Sequence, residues 1–158
     1  MSRVDLYTTV HKSLRARLFD VARRAGAIDG SDPRDTTAVL TLANEVLDDA
    51  EEHRKFEVAV IQPLIRNADP QAAAQLDGDH DELERLLAAV RDSMGNITGS
   101  ESWLAFYRCL NRFIAHLLAH FDEEEALMPM LWEKFSDDDL RGLVRGAAAG
   151  SMRMLGVW

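Results

Sequence analysis

The chain has a single cysteine, Cys109, so no intrachain disulfide can form and nothing points to an oxidising compartment. It has no run of about 18 or more apolar residues, so no segment is expected to span a membrane. Positive charge is in deficit, with 18 Lys and Arg against 27 Asp and Glu and a net charge of −9. That balance argues against nucleic acid or an anionic membrane surface as the main partner. Residues Met1-Ser2-Arg3-Val4-Asp5 show no basic segment followed by an apolar run, so no secretory leader is expected. The cytoplasm is the expected location. A glycine-rich phosphate loop and a His-Glu-x-x-His pair are both missing. So is any Glu-x-x-His, which a ferritin-type dinuclear bundle needs twice.

What remains is an ordinary apolar and charged balance over 158 residues, enough for one domain (1–158) with a real core. Breaks rich in turn residues fall at Gly26 to Asp35, Asn67 to Pro70, Gly95 to Ser100 and Phe135 to Asp139. Between them lie four segments of helical period, at about 5–25, 37–66, 71–94 and 101–134. Short connections make them antiparallel neighbours. The expected fold is all-α: an up-down-up-down four-helix bundle over about 5–134, with a short fifth helix in the region 136–158. Ser136 followed by Asp137, Asp138 and Asp139 predicts the start of that helix. Its apolar residues Leu140, Leu143, Val144, Met152, Leu155 and Trp158 suit packing across the bundle or against a second copy, so a homodimer is a natural expectation. Gly142, Gly146, Gly150 and Gly156 weaken it. Pro63 and Pro129 each follow a His-Glu pair and predict that helices two and four kink or stop there.

The inward stripes carry the chemistry. They read Tyr7, His11, Leu14, Leu18, Val21 on helix one and Leu42, Val46, Ala50, His53, Glu57, Val60, Leu64 on helix two. Helix three presents Ala73, Leu76, His80, Leu83, Leu87, Val90 and Met94. Helix four presents Phe106, Leu110, Phe113, Leu117, His120, Glu124, Leu127 and Leu131. A lone His followed by His-x-x-x-Glu occurs twice: His11 with His53 and Glu57, then His80 with His120 and Glu124. The spacing from lone to paired His is 42 residues in the first half and 40 in the second. Residues four apart share one helix face. Two buried carboxylates and four imidazoles in one core need a cation to compensate them, since no Lys or Arg lies on the inward stripes. One His on an apolar stripe is ordinarily a hydrogen-bonded core residue; six polar residues in duplicate are not. Nitrogen-plus-carboxylate ligation suits iron, manganese, zinc or nickel. The halves suggest that His11 and His53 hold one metal, His80 and His120 another, and that Glu57 and Glu124 bridge.

This order of residues resembles the hemerythrin-like cation-binding (HHE) domain family. The flanking segments agree: Val10-His11-Lys12-Ser13-Leu14, His53-Arg54-Lys55-Phe56-Glu57 with Pro63, and His120-Phe121-Asp122-Glu123-Glu124 with Pro129. The resemblance covers about residues 5 to 132 and implies a four-helix bundle around a non-haem diiron centre. Two departures separate the chain from the oxygen carriers of that family. Carriers have a fifth histidine a turn along from the third-helix one, where this chain has Glu84, and an Asp five residues after the last His, where this chain has Glu124 four after His120. The chain is closer to sensor-like and bacterial single-domain members.

Secondary candidates are Glu84 as a further ligand, and His116 as a ligand, an outer hydrogen-bond partner or a packing residue. Tyr7 reads as core with a hydroxyl able to reach the site. Asp122, Glu123 and Glu125 read as a solvated face, as do Arg15, Arg17, Arg23 and Arg24. Cys109 reads as a small hydrophobe. The expected function is binding or sensing of O2, NO or iron at two iron ions. The rivals are a diiron oxidase or peroxidase-like enzyme, and an interaction module with a structural metal and a partner surface at Arg141 to Trp158.

Overall fold

The helices begin where side chains can satisfy free backbone N–H groups. In the computed structural model, which describes residues 3–149, the Asp5 carboxylate accepts from the N–H groups of Tyr7 and Thr8, both at 2.9 Å, at the head of α1 (Thr8–Gly26). Asp32 accepts from Arg34 at 2.7 Å, with Pro33 in the first turn of α2 (Pro33–Phe56). Asp69 accepts from Gln71 and Ala72, with Pro70 opening α4 (Pro70–Gly95). The same Asp-Pro device starts two helices, and it places the start of α2 four residues earlier than expected at Thr37. Ser102 Oγ accepts from Gly99 N–H at the head of α5 (Ser100–Ala126). Ser136 and Asp139 bond reciprocally at the head of the short fifth element, α7 (Asp137–Ala149).

Both proline expectations hold, in different ways. After Phe56 the chain makes a π-helical turn (Glu57–Ile61), in which the Gln62 N–H reaches back five residues to the Glu57 carbonyl. Pro63 then sits in the first turn of α3 (Gln62–Ala68), where its missing N–H costs nothing. The wide turn takes in one extra residue and shifts the inner stripe beyond it by one. Ile61 and Ile65 are therefore buried, whereas Val60 and Leu64, expected inside, are only half-buried. At the second proline the helix closes with a tight turn, Leu127 N–H to Glu124 O at 3.0 Å, and α6 (Met128–Lys134) restarts with Pro129 in its first turn.

The four rods α1, α2–α3, α4 and α5–α6 form an up-down-up-down antiparallel bundle, in which α1 packs on α2 and α5, and α4 on α5 and α3. The α7 helix returns to the π-helical turn, with Leu140 buried. Met152, Leu155 and Trp158, expected to extend that packing, and Gly150 and Gly156 lie outside the described residues. The core has two apolar layers. One contains Leu14, Leu18, Leu83, Phe106, Leu117 and Phe121; the other contains Leu6, Tyr7, Phe56, Ile61, Leu76, Met128 and Leu131. On all four rods the His and Glu positions fall between them. Gly30, with φ of +78°, closes the α1–α2 connection against Trp103: a Cβ there would lie 2.3 Å from the Trp103 Cβ. Among the described residues, no helix is long and apolar enough to cross a membrane.

Candidate metal centre

The polar layer consists of His11, His53, Glu57, His80, His120 and Glu124, each no more than 5% exposed. Every one lies on the inner stripe of its rod, one turn from large apolar neighbours, so packing of those neighbours aims it at the bundle axis. The distances describe a layer organised by its two carboxylates. Glu57 Oε1 lies 2.7 Å from His53 Nε2 and 3.5 Å from His11 Nε2, while its other oxygen, Oε2, lies 4.0 Å from His80 Nε2. Glu124 Oε2 lies 3.5 Å from His11 Nε2, and its Oε1 lies 3.3 Å from His120 Nε2. Each carboxylate thus turns one oxygen to the first histidine pair and the other to the second. The imidazoles pack edge-on within pairs, His11 with His53 at 5.0 Å and His80 with His120 at 4.7 Å between ring centroids.

Two groups of side chains can each hold a cation, with ligating atoms within 4.8 Å of one another: His11, His53 and Glu57, and Glu57, His80, His120 and Glu124. Glu57 belongs to both. The donor set fits a metal on a second count. Both ring nitrogens of His80 and His120, His53 Nδ1 and Glu124 Oε2 are buried without any hydrogen-bond partner. Orphaned buried polar atoms are costly and rare unless something else satisfies them.

Protonation follows burial and proximity. Burial alone raises the Glu57 carboxyl, but His53 and His11 more than offset that and hold it below the usual carboxylate range. Burial and the adjacent Glu57 charge push Glu124 well above that range. Burial lowers His80, and burial with the neighbouring His80 pulls His120 down to about 4. His80 and His120 are therefore neutral at pH 7, the form that ligates metals, whereas Glu124 must give up a proton to do so.

The solvated reading of Glu125 and Arg15 is corrected by the structure. Glu125 Oε1 lies 2.9 Å from His11 Nδ1, and Arg15 donates to Glu125 at 2.6 Å and to Asp122 at 2.7 Å. A carboxylate at Nδ1 holds the ring with that nitrogen as donor, so that Nε2, which faces the two inner carboxylates, is the nitrogen that would ligate a metal. Phe121 stacks on the His11 ring at 3.9 Å, and the Arg15 guanidinium lies 5.4 Å over Phe121. Glu125 reads as solvated from the sequence because it is five residues past His120, off the inner stripe. Its signal was the pairing of basic Arg15 with an acid at the facing position, which needs the α1–α5 register. Asp79 Oδ2 stands 3.7 Å behind His120 Nδ1, too far for a hydrogen bond.

The two secondary candidates fall outside both groups. Glu84 is exposed, with its Oε2 3.9 Å from Arg54 Nη1. His116 is half-buried on the flank of α5. Beside the layer lies a cavity of about 20 Å³, room for one water or diatomic molecule and little more. His53, Glu57, His80 and His120 form its polar wall, Leu83, Leu87, Phe113, Leu117 and Phe121 its apolar wall, and Arg54 and Glu84 are also part of the lining.

Comparison with known proteins gives a family match to part of the chain. Residues 71–147 match the family model described as the hemerythrin HHE cation binding domain, a span that includes His80, His120 and Glu124. Over 133 residues the chain is 23% identical to the iron-sulfur cluster repair protein YtfE of Yersinia pseudotuberculosis serotype IB (strain PB1/+), covering 79% of this chain and 60% of the relative. The protein of the same name from Yersinia pestis (strain Pestoides F) matches to the same extent. The chain thus spans about three-fifths of the length of these curated relatives. No solved structure matches it significantly.

Proposed function

We propose, from the premise that residues 71–147 belong to the hemerythrin HHE cation-binding family, that this bundle holds a non-haem dinuclear centre of two iron ions and uses it to bind or sense O2, NO or iron. His11 and His53 hold one metal, His80 and His120 the other, and Glu57 and Glu124 bridge. One observation carries the reading: both carboxylates direct their two oxygens to different histidine pairs. Carboxylates set in this way can be shared between two cations, and Glu57 belongs to both groups of donors. Imidazole and carboxylate donors suit iron, and no thiolate lies on the inward stripes to favour a structural zinc.

Two irons held by these residues would supply the affinity for a diatomic molecule. The chain's residues do the rest. Glu125 fixes the His11 ring, and the apolar wall of Leu83, Leu87, Phe113, Leu117 and Phe121 limits water beside the site. The cavity beside the layer is small and mostly apolar, which suits a diatomic molecule. The relatives' name, an iron-sulfur cluster repair protein, is compatible with an iron-handling role, but it describes longer proteins.

The test is optical. Protein loaded anaerobically with Fe2+ is exposed to NO or O2 and then purged. A spectral change that reverses is the expected result. Consumption of O2 or peroxide over many turnovers would replace the reading with an enzyme. Retained metal with no optical response would replace it with a structural metal in an interaction module.

A further inference from the structure

Tyr7 lies one turn before His11 and is 1% exposed, with its ring tilted against the His11 imidazole at 5.2 Å between centroids. Its hydroxyl is fully buried and bonds to no described residue. Burying a hydroxyl without a partner costs roughly 1–3 kcal/mol, and a phenylalanine would fill the same space without that cost. The apolar layer to which it belongs includes Leu6, Phe56, Ile61, Met128 and Leu131. The carboxylates whose charges reach it are Glu124 and Glu57. Of these, Glu124 carries an orphan of its own, Oε2, which stands 3.5 Å from His11 Nε2. Two unsatisfied groups, one a donor and one an acceptor, therefore flank the same imidazole. Tyr7 does not line the cavity, so it cannot meet a molecule held there.

We infer that Tyr7 is a positioning residue of the metal centre, its hydroxyl donating a hydrogen bond to the Glu124 carboxylate when a cation draws that carboxylate into its bridging place. The inference rests on the metal reading above. It predicts effects of opposite sign in the two forms of the protein. Without metal the hydroxyl is a burden; with metal it fixes a ligand and strengthens binding.

The test compares Y7F with wild type, using Co2+ as the probe because its visible bands report ligand geometry. Melting is followed in chelator and in saturating Co2+, and affinity is titrated. Metal-free Y7F is expected to melt at or above wild type. Loaded Y7F should gain less stability, bind Co2+ about tenfold more weakly, and show shifted visible bands. Equal affinity with superimposable bands would overturn the inference, as would equal loss of stability with and without metal. Wild type that gains nothing from Co2+ would instead overturn the metal reading, and this inference with it. Should Y7F not fold, the wild type is read directly by NMR in its Zn2+-loaded form. A slowly exchanging Tyr7 hydroxyl proton with cross-peaks to the Glu124 methylenes supports the inference, and its absence overturns it.

Discussion

Glu124 is the residue at which the cost of the site concentrates. It is buried beside Glu57, and both burial and that neighbouring charge favour its neutral form in the metal-free fold. The histidines pull the other way. His120 has a folded value of about 4 against an ordinary 6.5, so between those pH values the unfolded chain takes up a proton that the folded chain refuses. That contribution is complete above about pH 6.5 and is lost as pH falls toward 4, an effect on the order of 3 kcal/mol at most. His80 adds to it in the same direction. Glu124 has the opposite sign: its contribution is complete below its ordinary value and is lost as pH rises through the raised one. Glutamine imitates the protonated acid, so metal-free E124Q separates the two slopes. Its stability relative to wild type should grow from pH 5 to pH 8, as measured by melting in chelator. A difference that does not vary with pH would contradict this account of the buried acid. All six positions in the polar layer were legible in the sequence because each falls on an apolar stripe at helical spacing. Glu125 was not, since its role depends on how α1 registers against α5.

Among the elements, the two prolines show where periodicity stops being a guide. The stripe of helix two runs true through Val46, Ala50, His53 and Glu57, then shifts at the π-helical turn, so that Ile61 and Ile65 replace Val60 and Leu64 inside. No regular period contains a wide turn, and its position follows from Pro63 together with the packing of α3 on α4. The Asp32-Pro33 start of α2 was written in the sequence as a cap followed by a proline, though the loop before it obscured the signal. Gly78 lies within α4, two residues before His80, and a Cβ there would meet nothing within 4 Å. It therefore has no steric reason to be glycine. Gly78→Ala should raise stability by about 1 kcal/mol, a gain of roughly 2–4 °C in Tm for a domain of this size, with metal binding unchanged. A fall in Tm would show that the exposed face of α4 depends on this glycine.

For the whole molecule, the bundle is two repeats facing each other across a polar layer, with apolar layers on either side. The repeat was visible as spacing, and so was the antiparallel order. The inequality of its halves was not. His11 has Glu125 and Arg15 behind it and Phe121 stacked on it, whereas His80 and His120 line the cavity. One half is braced and the other stands beside the space for a ligand. A metal bound only by the folded state adds to its stability by mass action, so on the proposed reading the costs carried by Glu124, the orphaned imidazoles and Tyr7 would be offset together on loading. The central claim is therefore a stoichiometry. It is tested most directly by elemental analysis of the untagged protein purified after iron-replete expression. The account predicts about two irons per chain. One zinc per chain, or no metal at all, would contradict it.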